Sequence, residues 1–325
     1  MNWFSTRAYN YALFCLLNPV ETLPKGTMVS LINERDITRR RLLEKIEKIT
    51  KTRVITYLAN PNASPNFIDH NDPVFLNDLL ESIGDTEVLD VVIDSPGGEA
   101  NVAEKLAIMC REHCKVLRAI IPNSAKSAAT MWAIASDRIL MGYLSEIGPI
   151  DPQIRMVDPQ GRITFVPAQS IIDSIGHLHS MLQQGIDQRV VLGLIQKLDP
   201  AIIDVADKAI QFSKQFAERW LSEYMLKDNP SKAKEIADAL SDNRKWLSHG
   251  KRIGINEASN LGLKIDPIDR KSQLWKHLWE YYSRAQMMMN AMGTIKLFEC
   301  KDIGINFSIG MQRVPMPQRP PRTSP

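Results

Sequence analysis

Apolar and polar positions alternate in blocks through the first half of the chain. DITRRRLLEKIEKIT (36–50) sets apolar residues at helical spacing beside a charged face. VITYLAN (54–60) follows as a strand, and PNASPN is a loop of turn formers. DPVFLNDLLESI (72–83) opens with Asp then Pro, the N-cap and first-turn pair of a helix. VLDVVID (88–94) is a short apolar run of the kind that buried parallel strands show. SPGGEA breaks it, and 100–113 resumes as a helix. KVLRAIIP (115–122) predicts another strand, the small residues from Ser124 onward a buried helix, and RILMG (138–142) a third strand of this series. Such alternation predicts βαβ units and a largely parallel sheet with helices on its faces. Sites form in loops at the carboxyl ends of parallel strands, and both SPGG and NSAKS lie at such ends.

The second half is mostly helical from about 167 to 240, with QSIIDSIGHLHSMLQQGI and 200–227 long and periodic and SKAKEIADAL (231–240) shorter. INEASNLGLKI (255–265) predicts a helix ending near Gly262 and leading to a strand. Residues 273–292 form a helix carrying Trp275, Trp279, Tyr281, Tyr282 and Met287 to Met289, a stripe that suits a docking or oligomer surface. At the amino end, AYNYALFCLLNPV (8–20) is too short to span a bilayer and contains Asn10 and Asn18. It reads as an amphipathic helix lying on the body or a partner, with peripheral membrane attachment left open. PMPQRPPRTSP (315–325) is a proline-rich tail that cannot build a core.

Composition narrows the function classes. Of 325 residues, 44% are hydrophobic and 24% charged, enough apolar material for a sizeable core. A net charge of +3 is too small to argue for nucleic acid or an anionic membrane. Cysteines at 15, 110, 114 and 300 have no framework spacing and read as free thiols in a reducing compartment. Cys110, His113 and Cys114 lie within about one helical turn, but a metal site there would need further ligands that the neighbourhood does not supply, so none is expected.

Three short stretches carry candidate chemistry. In IDSPGG (93–98), paired glycines after a buried strand bring main-chain N–H groups close to a ligand and could cradle an oxyanion, or they form a plain turn. Ser127 at a helix start can attack or can cap the helix. Asp151 lies between Pro149 and Pro152 in a stiff turn, either to aim its carboxylate or simply as a turn former. Taken alone, each keeps its bland alternative.

Taken together, DSPGG, a following helix, SAKSAATMWAIASDRILMG and then GPIDPQ resemble the Clp-fold serine peptidases. The match is closest to the serine dehydrogenase proteinase family over about 88–154, and it resumes at KWLSHGKRIGINEASNLGLKI (245–265). The resemblance implies an α/β Clp/crotonase-like fold with a helical C-terminal elaboration. It implies a triad of Ser127 as nucleophile, Asp151 as orienting carboxylate and His249 as base, with Gly97, Gly98 and Ala128 offering oxyanion N–H groups. A serine–lysine dyad, as in signal peptide peptidase A, ranks below the triad. The chain has no lysine between 127 and 196, and Lys126 would point away. Where family members favour threonine before the proline and glycine two residues after the nucleophile, this chain has Ser95 and Ala129.

On this reading residues 1–50 are an N-terminal helical segment and 51–268 the peptidase domain. Residues 269–312 are an aromatic and methionine-rich segment, and 313–325 a disordered tail. The resemblance implies a serine endopeptidase acting on a protein or peptide substrate, without metal or organic cofactor. It also implies a homo-oligomer, with 273–292 as a contact candidate and an activating partner protein left open. A cytoplasmic location is expected. The rivals are a crotonase-type acyl-CoA enzyme, which needs no serine nucleophile, and a catalytically silent scaffold.

Overall fold

A computed structural model describes residues 27–157, 160–196 and 198–308. The expected helix at 8–20, Cys15 and the proline-rich tail lie outside these residues. In chain order the elements begin with α1 (Thr27–Thr50), β1 (Arg53–Ala59), α2 (Asp72–Ile83), β2 (Thr86–Asp94), α3 (Ala100–Glu112) and β3 (Cys114–Ile121). Next come β4 (Ser124–Ala125), α4 (Ala128–Ile134), β5 (Arg138–Met141), β6 (Glu146–Ile147), β7 (Gln153–Val157) and β8 (Ile163–Pro167). Helices α5 (Ala168–Gln183), α6 (Gln188–Ile195), α7 (Pro200–Trp220), α8 (Pro230–Ser241), α9 (Asn243–Trp246) and α10 (Ile255–Leu261) follow. The described chain closes with β9 (Ile265–Pro267), α11 (Gln273–Met292), β10 (Lys296–Cys300) and β11 (Gly304–Phe307).

Seven strands form the central sheet in the order β11-β10-β1-β2-β3-β5-β9. The run β1-β2-β3-β5-β9 is parallel, as the βαβ pattern predicts. β10 and β11 add antiparallel at one edge, with Lys296 opposite Ala59. β10 and β11, from the residues expected as a separate C-terminal segment, therefore lie in the same sheet as β1, β2, β3, β5 and β9.

Alternation along the strands serves two cores. Ile55, Tyr57, Val91 and Ile93 face α2, α3, α4 and the ends of α7 and α8. Val54, Leu58, Val92 and Ile120 face α1 and α11. The aromatic stripe of α11 is thus spent on the sheet: Trp275, Leu278, Tyr281, Tyr282, Ala285, Met288 and Met289 are buried. These side chains cover the sheet and are not available to a partner, whereas Met287 of the same stripe is exposed. Gly142 admits Trp275, since a Cβ there would come within 1.9 Å of the indole.

Charges inside this second layer are paired. Arg39 of α1 forks onto Glu299 of β10 at 3.1 and 3.0 Å. The Tyr281 hydroxyl donates to Glu299 at 3.0 Å and accepts from Thr56 at 2.8 Å. At the carboxyl end of β2, buried Asp94 accepts from the Ser124 N–H at 2.9 Å, the Asn123 amide at 3.2 Å and Gln286 of α11 at 3.2 Å. Burial pushes the Asp94 carboxyl up to about 6, against an ordinary 3.8, despite these donors.

Two long elements fall outside the sheet. β7 and β8 pair antiparallel as a hairpin, and with α5 and α7 they enclose a small third cluster around Ala168, Ile171 and Ala206. This arm leaves Val157, Ile163, Phe165, Val190 and Leu192 exposed. Among the described residues no helix is long and apolar enough to cross a membrane, and no group of three or more His, Cys, Asp or Glu could hold a metal ion.

Two outcomes follow for stability. Arg39→Met strands the Glu299 carboxylate in the core and lowers unfolding free energy by about 3–5 kcal/mol in urea titration, most of it regained on adding Glu299→Leu. For Asp94, the folded state holds a proton between pH 3.8 and about 6 that the unfolded chain releases, so its contribution is full below that range and lost as pH rises through it. Denaturation curves at pH 4 and pH 7 should show wild type losing about 2 kcal/mol relative to Asp94→Asn.

Candidate active site

The turn that opens α4 is held on three sides. Ser95 and Ala125 form a parallel bridge, with the Ser95 N–H donating to Ser124 O at 2.9 Å and the Lys126 N–H to Ser95 O at 3.0 Å. β4 pairs with β6 on its other side. From beneath, the Thr130 hydroxyl donates to Ala125 O at 2.7 Å and accepts from the Gly148 N–H at 3.1 Å. So gripped, Ser127 adopts φ 50° and ψ −120°, a backbone state that an L-residue enters only under constraint. Its hydroxyl does not cap α4. The capping alternative therefore does not describe this serine, which is half-buried at the head of the helix.

The SPGG loop passes close beside it, and each glycine has its own reason. A Cβ on Gly97 would stand 2.6 Å from Lys126 O and 2.8 Å from Ser127 Cβ. A Cβ on Gly98 would stand 2.4 Å from Ile68 O and 2.5 Å from Ile68 N. Both glycines also have positive φ, 104° and 146°. Ile68 is bonded to the loop as a one-residue strand, its N–H donating to Gly97 O at 2.7 Å and its carbonyl accepting the Glu99 N–H at 3.0 Å. The Gly97 N–H is committed to Ser95 Oγ at 3.2 Å. Among the described residues, the N–H groups of Gly98 and Ala128 have no hydrogen-bond acceptor.

Asp151 and His249 meet across the chain. His249 Nδ1 lies 2.8 Å from Asp151 Oδ1, which is 1% exposed. The other carboxylate oxygen accepts from Gln153 at 3.0 Å and Asn243 at 3.0 Å. Asp151 is placed by its neighbour Ile150, whose N–H donates to Leu240 O at 2.9 Å. The His249 segment is tied back by Ile253, which exchanges two 3.0 Å hydrogen bonds with Ile147. Lys126 reaches Glu146 at 2.6 Å and the Lys251 carbonyl at 3.3 Å. This lysine, the neighbour of Ser127, is thus a paired cation that ties the histidine segment to the serine turn. No hydrogen bond joins Ser127 to His249 among the described residues. Of the other histidines, His179 bonds Gln183 on the exposed arm at 3.0 Å.

Asn243, Gln153 and Ile68 escape sequence reasoning. Asn243 sits in a polar stretch, and Gln153, although it closes the GPIDPQ motif, carries no mark of a role beside Asp151. Ile68 reads as one apolar residue in a loop. Leu247, at φ 61° and 85% exposed two residues before His249, is likewise unmarked in the sequence. The cysteines are not part of this geometry: Cys110, Cys114 and Cys300 are free thiols, and burial pushes Cys114 up to about 11.

The chain is similar to two uncharacterized proteins of Methanocaldococcus jannaschii. To MJ0137 it is 32% identical over 178 residues, 55% of this chain and 53% of that protein, so it spans about half the relative's length. To MJ1495 it is 27% identical over 232 residues, 71% of this chain and 70% of that protein. Among solved structures, ClpP1 from Listeria monocytogenes aligns over 75% of this chain and 99% of its own, with 12% identity and a TM-score of 0.40. The family of ClpP-like SDH-type serine proteinases matches residues 7–297, which take in strands β1 to β9 and both motif-bearing stretches, and the chain belongs to that family.

Proposed function

We propose that the protein is a serine endopeptidase in which Ser127 attacks the scissile carbonyl, His249 moves the proton and Asp151 holds His249. The observation that carries the reading is the backbone of Ser127. A non-glycine residue is kept at positive φ with its hydroxyl uncapped, next to a loop and a helix start whose Gly98 and Ala128 N–H groups have no acceptor among the described residues.

The chemistry follows from the geometry. Asp151 fixes the tautomer with the proton on Nδ1, leaving Nε2 as a base. As Ser127 Oγ bonds to the carbonyl carbon, its proton passes to Nε2, and the oxyanion takes hydrogen bonds from the Gly98 and Ala128 N–H groups. Gly97 acts sterically, since its own N–H is held by Ser95. Collapse breaks the C–N bond, and His249 returns the proton to the leaving amine. Water, deprotonated by His249, then releases the acyl group. The hydrogen bond between nucleophile and base commonly closes only around a bound substrate. Gln153 and Asn243 saturate the second oxygen of Asp151 and stop its carboxylate from rotating off the imidazole.

The exposed apolar side chains of the arm support a homo-oligomer built through β7–β8, α5 and α6, in place of α11. Exposed apolar side chains collected on one unit are the mark of an association surface, and Phe165 at the hairpin is 64% exposed.

Two outcomes test this. A fluorophosphonate probe should label purified protein at Ser127, mapped by peptide mass; labelling disappears in Ser127→Ala and slows by at least about a hundredfold in His249→Ala. Labelling at an unchanged rate in His249→Ala would move the base elsewhere. Sedimentation velocity should show Phe165→Asp with Val157→Asp as a smaller particle than wild type, with unchanged far-UV circular dichroism. A wild-type monomer would remove the arm's role.

A further inference from the structure

Behind the glycine loop lies a set of buried polar groups that the peptidase chemistry leaves unused. Lys296 of β10 is 1% exposed, and its ammonium sits 2.7 Å from Asp72 Oδ1 and 2.7 Å from Asp69 Oδ2. Asp72, fully buried, accepts on its other oxygen from the Tyr57 hydroxyl at 2.9 Å and the Asp69 N–H at 2.9 Å. The Tyr57 oxygen faces the Ser95 hydroxyl, and Ser95 Oγ accepts the Gly97 N–H at 3.2 Å. One line of polar contacts thus runs from Lys296 through Asp72, Tyr57 and Ser95 to Gly97. A second runs from Lys296 through Asp69 to its neighbour Ile68, whose N–H holds Gly97 O at 2.7 Å.

The first line holds the Pro96–Gly97 peptide by its N–H, and the second holds the Gly97–Gly98 peptide by its C=O. That peptide is planar and trans, so its C=O and N–H point in opposite directions. A carbonyl fixed toward Ile68 turns the Gly98 N–H away from Ile68, the side from which the Ser127 turn packs against the loop. Glycines supply no side chain to hold this plane, and their backbone is the freest in the chain. A buried ion cluster adds little net stability, because desolvation offsets its attraction. What it does supply is a fixed geometry.

We propose that Lys296, Asp69, Asp72, Tyr57 and Ser95 are positioning residues that hold the peptides on the two sides of Gly97, by its N–H and by its carbonyl, and so aim the Gly98 N–H at the tetrahedral oxyanion. The inference rests on the reading of Ser127 and Gly98 above. It makes β10, one strand in from the sheet edge, a support of the catalytic loop.

Removing Lys296 would leave Asp72 uncompensated in the core, so the test uses milder variants of the full chain: Tyr57→Phe, Ser95→Ala and Ser95→Thr. Three quantities are measured: kcat and KM on fluorescein-casein, the rate of fluorophosphonate labelling at Ser127, and amide hydrogen exchange of residues 95–99. Tyr57→Phe and Ser95→Ala should lower kcat about tenfold or more with KM held within about twofold, as for a contact felt only in the transition state. They should also speed exchange in the loop without lowering the melting temperature enough to unfold the chain. Ser95→Thr, which restores the hydroxyl, should return kcat to within about threefold of wild type. Unchanged kcat in Tyr57→Phe and Ser95→Ala overturns the proposal, even if exchange quickens. Should wild type neither label nor cleave, the peptidase reading fails instead, and exchange alone decides positioning: faster exchange at 95–99 supports it and unchanged exchange overturns it.

Discussion

The structure turns on the close approach of three backbone segments at the carboxyl ends of the parallel strands. The glycine loop runs between Ile68 on one side and the Ser127 turn on the other, and contact on both sides is nearer than any side chain allows. Glycine is needed twice, for a different neighbour each time. Ser127 can hold its unusual backbone because the packing and hydrogen bonds around it leave no other choice. Strain of this kind costs about 1–3 kcal/mol and persists only where the surroundings over-determine it. The bridge to Ser95, the pairing of β4 with β6 and the Thr130 hydroxyl supply that over-determination.

Buried polar groups are concentrated around this point. Asp94 ties the end of β2 to the strand leading into the serine turn and to α11. The Lys296 cluster stands behind the loop, and the Arg39–Glu299–Tyr281 set joins α1, α11 and β10 beneath the sheet. In a low-dielectric interior such groups are costly unless each finds its partner. Having found them, they fix registers that apolar packing leaves loose. The C-terminal strands are therefore integral to the layer that carries the site.

The arm formed by β7, β8, α5, α6 and the first part of α7 obeys different physics. Its private core is small, and many of its apolar side chains stay in water. It joins the body next to Asp151, since β7 begins at Gln153, which bonds the Asp151 carboxylate. The arm thus begins two residues after the carboxylate that is bonded to His249.

The sequence determined the alternating α/β order, the parallel sheet and the two motif-bearing loops, because hydrophobic period and turn chemistry are local properties. It marked Ser127, Asp151 and His249 only through resemblance, since a serine, an aspartate and a histidine are each commonplace by themselves. The β7–β8 hairpin was legible in the alternation of QIRMV and ITFVP around DPQG, yet those residues do not figure among the strands expected from the pattern. The strands at 296–307 were masked by the aromatic helix before them. What only the tertiary structure decided is which side of each residue is occupied. It put the stripe of α11 under the sheet, turned Lys126 to Glu146, gave the Gly97 N–H to Ser95 and brought Asn243 to Asp151. Asn243 and Asp151 are 92 residues apart and Lys296 and Asp72 are 224 apart, and no local preference encodes a contact whose partner lies across the fold.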